Sequence, residues 1–143
     1  IVYCRTRSDV DRIYQFLISK GYIVSKYHAQ MEQIDKTQVL SQFLSDECKL
    51  VVATMAFGLG INKSNVRFVC HVQMPDNIEK FYQEVGRAGR DGLPAESLLL
   101  FHENDFVQNR MLHEKIGELS NRSEMVFKTR QMYFFCNHIQ CRQ

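Results

Sequence analysis

At 143 residues the chain has the size of one domain, and its 45% hydrophobic content is enough to fill a core, which excludes a disordered polymer. The formal net charge is only +2, so binding to nucleic acid has to come from cations placed locally, not from bulk charge. No apolar run reaches the length of a membrane span.

The elements are legible in order. Ile1-Val2-Tyr3-Cys4 is a short apolar run that predicts a buried strand; with no charged leader or cleavage site, it reads as the interior of a longer chain. Ser8 is expected to open a helix with Asp11 as its capping-box partner. Val10, Ile13, Tyr14 and Leu17 form its apolar stripe and Gly21 stops it. Tyr22 to His28 predicts a strand and Lys36 to Leu44 a helix facing inward through Val39, Leu40, Phe43 and Leu44. Leu50 to Ala53 and Val66 to Val72 are continuous apolar strands of the kind found in a parallel sheet covered on both faces. A helix follows from Asn77, then a strand over Ser97 to Phe101. From about Asp105 the pattern is helical only, with a break expected at Asn121 and Ser123. Strands alternating with helices predict an α/β sandwich of parallel strands carrying a helical appendix. Ligands of such sheets bind outside the carboxyl ends of the strands, which points to the loops after Cys4, His28, Ala53 and Val72. Five scattered cysteines, Cys4, Cys48, Cys70, Cys136 and Cys141, argue against a disulfide framework and for a reducing compartment. Cys4 and Cys70 read as small core residues.

The most informative stretch is Gln83-Glu84-Val85-Gly86-Arg87-Ala88-Gly89-Arg90-Asp91-Gly92. If it is helical throughout, Gln83, Arg87 and Arg90 share one face, while Ile78, Phe81, Tyr82 and Val85 share another. Two guanidiniums so presented suit phosphate; a solvated charged face is the alternative. The whole string resembles motif VI of superfamily-two helicases in the form used by the RecQ DNA helicase family. Tyr3-Cys4-Arg5-Thr6-Arg7 resembles motif IV of that family, and Thr54-Met55-Ala56-Phe57-Gly58-Leu59-Gly60-Ile61-Asn62-Lys63 resembles its motif V. Tyr27-His28-Ala29-Gln30-Met31 is similar to the family's Tyr-His-Ala-Gly-Leu, departing from it at Gln30 and Met31.

The resemblance implies a RecA-like sheet and a set of roles. Arg90 is the expected arginine finger on the γ-phosphate of ATP, with Arg87 as its phosphate-binding or cleft-bracing neighbour. Gln83, Asn62 and Gly60 are expected near the nucleotide. Arg5, Thr6, Arg7, Ser8, Gln33 and Thr54 are expected along the DNA backbone, with Gln108 and Arg110 as a weaker contact. Read without the resemblance, Arg5 to Ser8 is either a phosphate site or a capped, solvated helix start. Without the resemblance, a solvated helix face is the favoured reading of Gln108 and Arg110.

Cys136-Asn137-His138 and Cys141 fit no standard zinc spacing by themselves. The resemblance implies that Cys141 is the first ligand of a zinc subdomain whose other ligands lie elsewhere, so no closed four-ligand site is expected. A phosphate-cradling Gly-x-x-x-x-Gly-Lys string is absent from these residues. The chain therefore reads as the second RecA-like lobe (1–104) followed by a helical segment leading into the zinc subdomain (105–143), unable to hydrolyse ATP or unwind DNA alone. Its implied partners are DNA and the first lobe, with Mg2+ and ATP held mainly by that lobe. The implied setting is nuclear in a eukaryote and cytoplasmic in a bacterium. An RNA helicase lobe and a non-catalytic binding module are the alternatives.

Overall fold

The computed structural model describes residues 1–58, 61–116 and 119–138. Along the chain come β1 (Val2–Tyr3), α1 (Arg7–Ser19), β2 (Ser25–Tyr27), α2 (Gln33–Leu44), β3 (Val51–Ala53), β4 (Phe68–His71), α3 (Ile78–Val85), β5 (Glu96–Leu99), α4 (Glu103–Ile116) and α5 (Leu119–Asn137). Among the described residues the strands make one parallel five-stranded sheet in the order β2-β3-β1-β4-β5. Val2 is in register with Val52 and Cys70, Tyr27 with Ala53, and Cys70 with Leu98.

The two faces of β1 fill two cores. On one side Cys4 and Val52 pack against Val10 of α1, with Ile13, Tyr14 and Leu17 partly buried around them. On the other, Ile1, Tyr3, Val51, Ala53 and Val69 meet Val39 and Phe43 of α2, together with Phe57, Ile61 and Val66 from the β3–β4 connection. Burial on both faces is why these strands read as continuous apolar runs. The chain runs outward from β1 to β2, returns through β3, then crosses β1 to reach β4. The carboxyl ends of β1, β3 and β4 therefore surround the point where the winding reverses, where open α/β sheets hold their ligands.

Several boundaries differ from the sequence expectation. The N-cap of α1 is Thr6, two residues ahead of Ser8; its Oγ1 accepts from the Asp9 N–H at 3.2 Å and donates to the Asp9 carboxylate at 2.6 Å. Asp9 thus fills the role given to Asp11, whose carboxylate instead pairs with Lys26 at 2.6 Å. Gly21, at φ +83°, closes α1 as expected. The turn after β2 is closed by the Met31 N–H on the His28 carbonyl, and no residue in it has a positive φ, so it needs no glycine. Asn121 and Ser123 do not break the tail: both lie inside α5, where the good helix formers around them outweigh two weak breakers.

The largest correction concerns α3. The helix begins at Asn77 as expected, where the Asn77 side chain caps it, but it ends at Val85 with Gly86 as C-cap. Gly89 at φ +65° and Gly92 at φ +79° occupy left-handed backbone that stops a helix from continuing. Arg87 and Arg90 therefore stand on a turn, not on a helical face with Gln83. Tyr82, assigned to the apolar stripe, is 70% exposed.

The appendix docks through aromatic contacts. Phe135 of α5 meets Phe81 of α3 at 5.5 Å between ring centroids, and Tyr133 meets Phe106 at 4.9 Å and Phe101 at 5.9 Å.

Candidate nucleotide and nucleic-acid site

Two loops form the arginine-bearing surface. One follows β3 and the other follows α3, and backbone hydrogen bonds zip them together: the Gly89 N–H donates to Val66 O at 2.9 Å and the Asp91 N–H to Ser64 O at 3.3 Å. Arg67 adds a side-chain clasp. Its Nη2 donates to both Asp91 carboxylate oxygens at 2.5 and 2.6 Å, and its Nη1 donates to Pro94 O at 2.9 Å. The Arg67 guanidinium holds the Asp91 carboxyl below the usual carboxylate range. Asp91 is thus spent on shaping the turn. At Gly89 the close approach is literal: an added Cβ would lie 3.1 Å from Leu93 O and 3.2 Å from the Ala95 Cβ.

Arg90 is exposed. Its Nε donates to Gly86 O at 3.0 Å and its Nη1 to Ile61 O at 3.4 Å, which braces the stem of the fork against both loops. Arg87 lies deeper. Its Nε is buried without a hydrogen-bond partner, and its guanidinium stands beside the Tyr3 hydroxyl. That hydroxyl donates to Phe57 O at 3.1 Å. Burial pushes the Tyr3 phenol above its ordinary value, and the Arg87 charge pulls it part of the way back. Gln83 is exposed on the last turn of α3 and Asn62 is exposed in the loop. Gly60 lies outside the described residues, as does Cys141.

The residues expected along DNA come from the loops after three adjacent strands. Gln33, exposed, is the first residue of α2 after β2; Thr54, half-buried, follows β3; Thr6, Arg7 and Ser8 follow β1. Neighbouring strands are about 4.8 Å apart, so this row spans roughly 10 Å along the carboxyl edge of the sheet. Arg7 and Ser8 are exposed on the first turn of α1, where helix geometry leaves backbone N–H groups without intrahelical acceptors. The Thr54 N–H is taken by Tyr27 O at 3.1 Å and its carbonyl accepts from the Phe57 N–H at 3.0 Å, which fixes the turn that carries it.

Arg5 and Gln108 stand apart from that row. The Arg5 guanidinium donates from Nη2 to Gln108 Oε1 and from Nη1 to Asn109 Oδ1 at 3.1 Å, and it pairs with Asp105. It is committed to α4, with only a tenth of its side chain exposed. Arg110 is exposed on α4 and has a partner of its own.

A small crevice of about 60 Å³ opens at the carboxyl ends of β1 and β4, lined among others by Tyr3, Arg5, His71, Gln73, Asp76 and Glu84. Neither Arg87 nor Arg90 lines it, but it adjoins the arginine turn through Tyr3, which stands beside Arg87, and Glu84, whose carbonyl accepts from the Arg87 N–H. Beneath it the buried His71 ring stacks on Tyr3 at 5.4 Å and meets Glu84 Oε2 at 2.8 Å through Nε2. Burial raises the Cys4 thiol to about 12, which leaves it a core group and not a nucleophile.

Sequence reading missed Tyr3, Arg67, His71, Glu84 and Asp91 as parts of this site. Glu84 and Asp91 lie inside the quoted string, so their types were in view. Arg67 and His71 carry no sequence signal, because their partners are reached only by folding.

Among the described residues no group of three His, Cys, Asp or Glu side chains is placed to hold a metal ion. No helix among the described residues is long and apolar enough to cross a membrane.

Residues 1–92 match the helicase conserved C-terminal domain. The chain is 42% identical over its whole length to the ATP-dependent DNA helicase RecQ of Bacillus subtilis, of which it covers 24%. It is 50% identical over 75% of its length to the protein of the same name in Haemophilus influenzae, covering 17% of that protein. It thus spans about a quarter or less of the length of these curated relatives. A DEAD box protein from Methanococcus jannaschii superposes with a TM-score of 0.66 over 80% of this chain and 32% of its own, at 21% identity, a likeness of fold alone: the RecA-like sheet. The family match includes both arginine-bearing loops and the Bacillus subtilis RecQ aligns with the chain from end to end, so the chain belongs to the helicase conserved C-terminal domain family, as a lobe of RecQ type.

Proposed function

We propose that this chain is the second motor lobe of an ATP-dependent, 3′-to-5′ DNA helicase, with residues 105–143 leading into a zinc subdomain. The observation that carries this reading is the welding of the arginine turn to the loop after β3. That loop begins at Thr54, in the row expected along the nucleic-acid backbone, and its later residues Ile61, Ser64 and Val66 are bonded to Arg90, Asp91 and Gly89 of the arginine turn. On this reading one hydrogen-bonded pair of loops touches both ligands, the physical requirement for coupling one to the other.

Arg90 reaches the γ-phosphate across the cleft formed with the first lobe and stabilises the charge that develops there, an effect worth about 10³–10⁵ in rate in well-studied NTPases. Arg87, buried at its Nε and braced by Tyr3, holds the nucleotide side of the cleft. ATP, with magnesium supplied by the first lobe, bridges the two lobes. Arg7, Ser8, Gln33 and Thr54 grip the strand through its backbone, so binding is sequence-independent and salt-sensitive. The chain alone turns nothing over.

DNA-stimulated ATP hydrolysis by the full-length protein, its Arg90→Ala variant and the isolated chain tests this. Loss of turnover with nucleotide binding retained, and a silent isolated chain, are the expected results. Unchanged turnover in the variant would shift the reading to a non-catalytic binding module. Unwinding of RNA but not DNA duplexes by the full-length protein would shift it to an RNA motor.

A further inference from the structure

We propose that Gly58 is a positioning residue for Arg87: the missing side chain at this position is the seat of the guanidinium. The loop after β3 then decides where Arg87 stands. This inference rests on the motor-lobe reading and deepens it.

A Cβ built on Gly58 would lie 2.5 Å from Arg87 Nη2 and 3.2 Å from its Cζ. A Cβ essentially never comes within 3.0 Å of a heavy atom of a residue distant in the chain, so any side chain at 58 moves the arginine. Backbone conformation does not explain the glycine. Gly21, Gly89 and Gly92 have positive φ, and Gly58 does not, so an L residue is compatible with its backbone. What excludes a larger residue is chiefly space, and the atom occupying that space is the far end of a flexible side chain. The Met55 carbonyl, 3.2 Å from the same Cβ, is a lesser constraint.

The other side of the guanidinium is equally defined. Tyr3 stands beside it, and the Tyr3 hydroxyl is tied to Phe57 O, the residue next to Gly58. Arg87 is thus held between a glycine backbone and a buried phenol. The tight turn from Thr54 to Phe57 leads directly into the seat, so a displacement at Thr54 is delivered to Arg87. Substitution at 58 therefore affects first where a phosphate-binding group stands; Tyr3 and Phe57 beside the seat belong to the core, so the melting temperature reads whether strain passes into it.

The test is a double-mutant cycle in the full-length protein: Gly58→Ala, Arg87→Ala and both together, assayed for DNA-stimulated ATP hydrolysis and for melting temperature. Displacing a group by about 1 Å costs up to about 10²-fold in rate, so Gly58→Ala is expected to lower kcat at least about tenfold with KM for ATP little changed. If Gly58 acts through Arg87, the double variant is no worse than Arg87→Ala alone. Should Gly58→Ala lower the melting temperature, removing Arg87 in the double variant is expected to restore it, because the clash goes with the guanidinium.

Wild-type turnover in Gly58→Ala beside a crippled Arg87→Ala overturns the inference alone. So does a double variant whose losses multiply, or a melting temperature that the second substitution does not restore. Wild-type turnover in Arg87→Ala sinks the inference together with the motor-lobe reading beneath it.

Discussion

The Arg5 guanidinium stands 3.7 Å from the Asp105 carboxylate, and both side chains are nine-tenths buried. The same carboxylate accepts from the Met74 and His102 N–H groups at 3.1 Å each. Asn109, fully buried, accepts from Arg5 and donates to Met74 O at 3.0 Å. This polar knot pins α4 to the carboxyl ends of β1 and β4. Asp105→Ala leaves a buried guanidinium short of its counter-charge and two N–H groups without an acceptor. The expected loss is about 3 kcal/mol, near the lower bound for breaking a buried pair because Asn109 and Gln108 still accept from Arg5. Urea denaturation of the two chains measures it; a loss below about 1 kcal/mol would mean that the knot is solvated.

The same knot separates two arginines that look alike in sequence. Arg5 is built into α4, whereas Arg7 is exposed on the first turn of α1. In the full-length protein Arg7→Ala is expected to weaken binding to single-stranded DNA about uniformly across sequences and to reduce the slope of log affinity on log salt by about 1. A binding titration at several salt concentrations reads both quantities. An unchanged slope would remove Arg7 from the phosphate contacts.

Much of this was legible from the residue pattern, and the failures share a cause. The parallel sheet, the covered faces of β1 and the start of α3 at Asn77 follow from local apolar periodicity. The end of α3 was misjudged because apolar spacing continues to Val85 and the arginine spacing suits a helix, while Gly86, Gly89 and Gly92 act through backbone geometry that periodicity does not register. Arg5 was read as a free cation because Asp105 and Asn109, its partners, lie far along the chain. Gly58 was read only as one letter of the motif V string because the arginine that needs its missing side chain comes from another loop.

Asp91 supplies a pH dependence. Arg67 depresses its carboxyl in the folded chain, so the unfolded state binds the proton more tightly. The stabilisation is present above the unfolded value of about 3.9 and is lost as pH falls through the lower folded value. Asp91→Asn removes the charge at every pH. Its unfolding midpoint is expected to lie below that of the parent at neutral pH and to converge with it in strong acid, where both side chains are neutral. Denaturation curves across that range decide the matter; a constant gap would assign the difference to something other than the Arg67 pair.

Glu84 and His71 make the last prediction. His71 is 2% exposed, its Nε2 meets Glu84 Oε2 at 2.8 Å, and its Nδ1 is buried without a partner. With a carboxylate acceptor at Nε2, that nitrogen carries the proton and donates it. Glu84→Ala therefore leaves an imidazole buried between Tyr3 and Phe81 with neither nitrogen bonded, at a cost of about 1–3 kcal/mol. Glu84→Gln keeps an amide oxygen available as acceptor and is expected to lose less than half as much. Denaturation of both variants separates two roles for Glu84. If Gln were as damaging as Ala, the pair would depend on the carboxylate charge; if Gln were mild, Glu84 serves as the acceptor that holds the buried ring beneath the arginine turn.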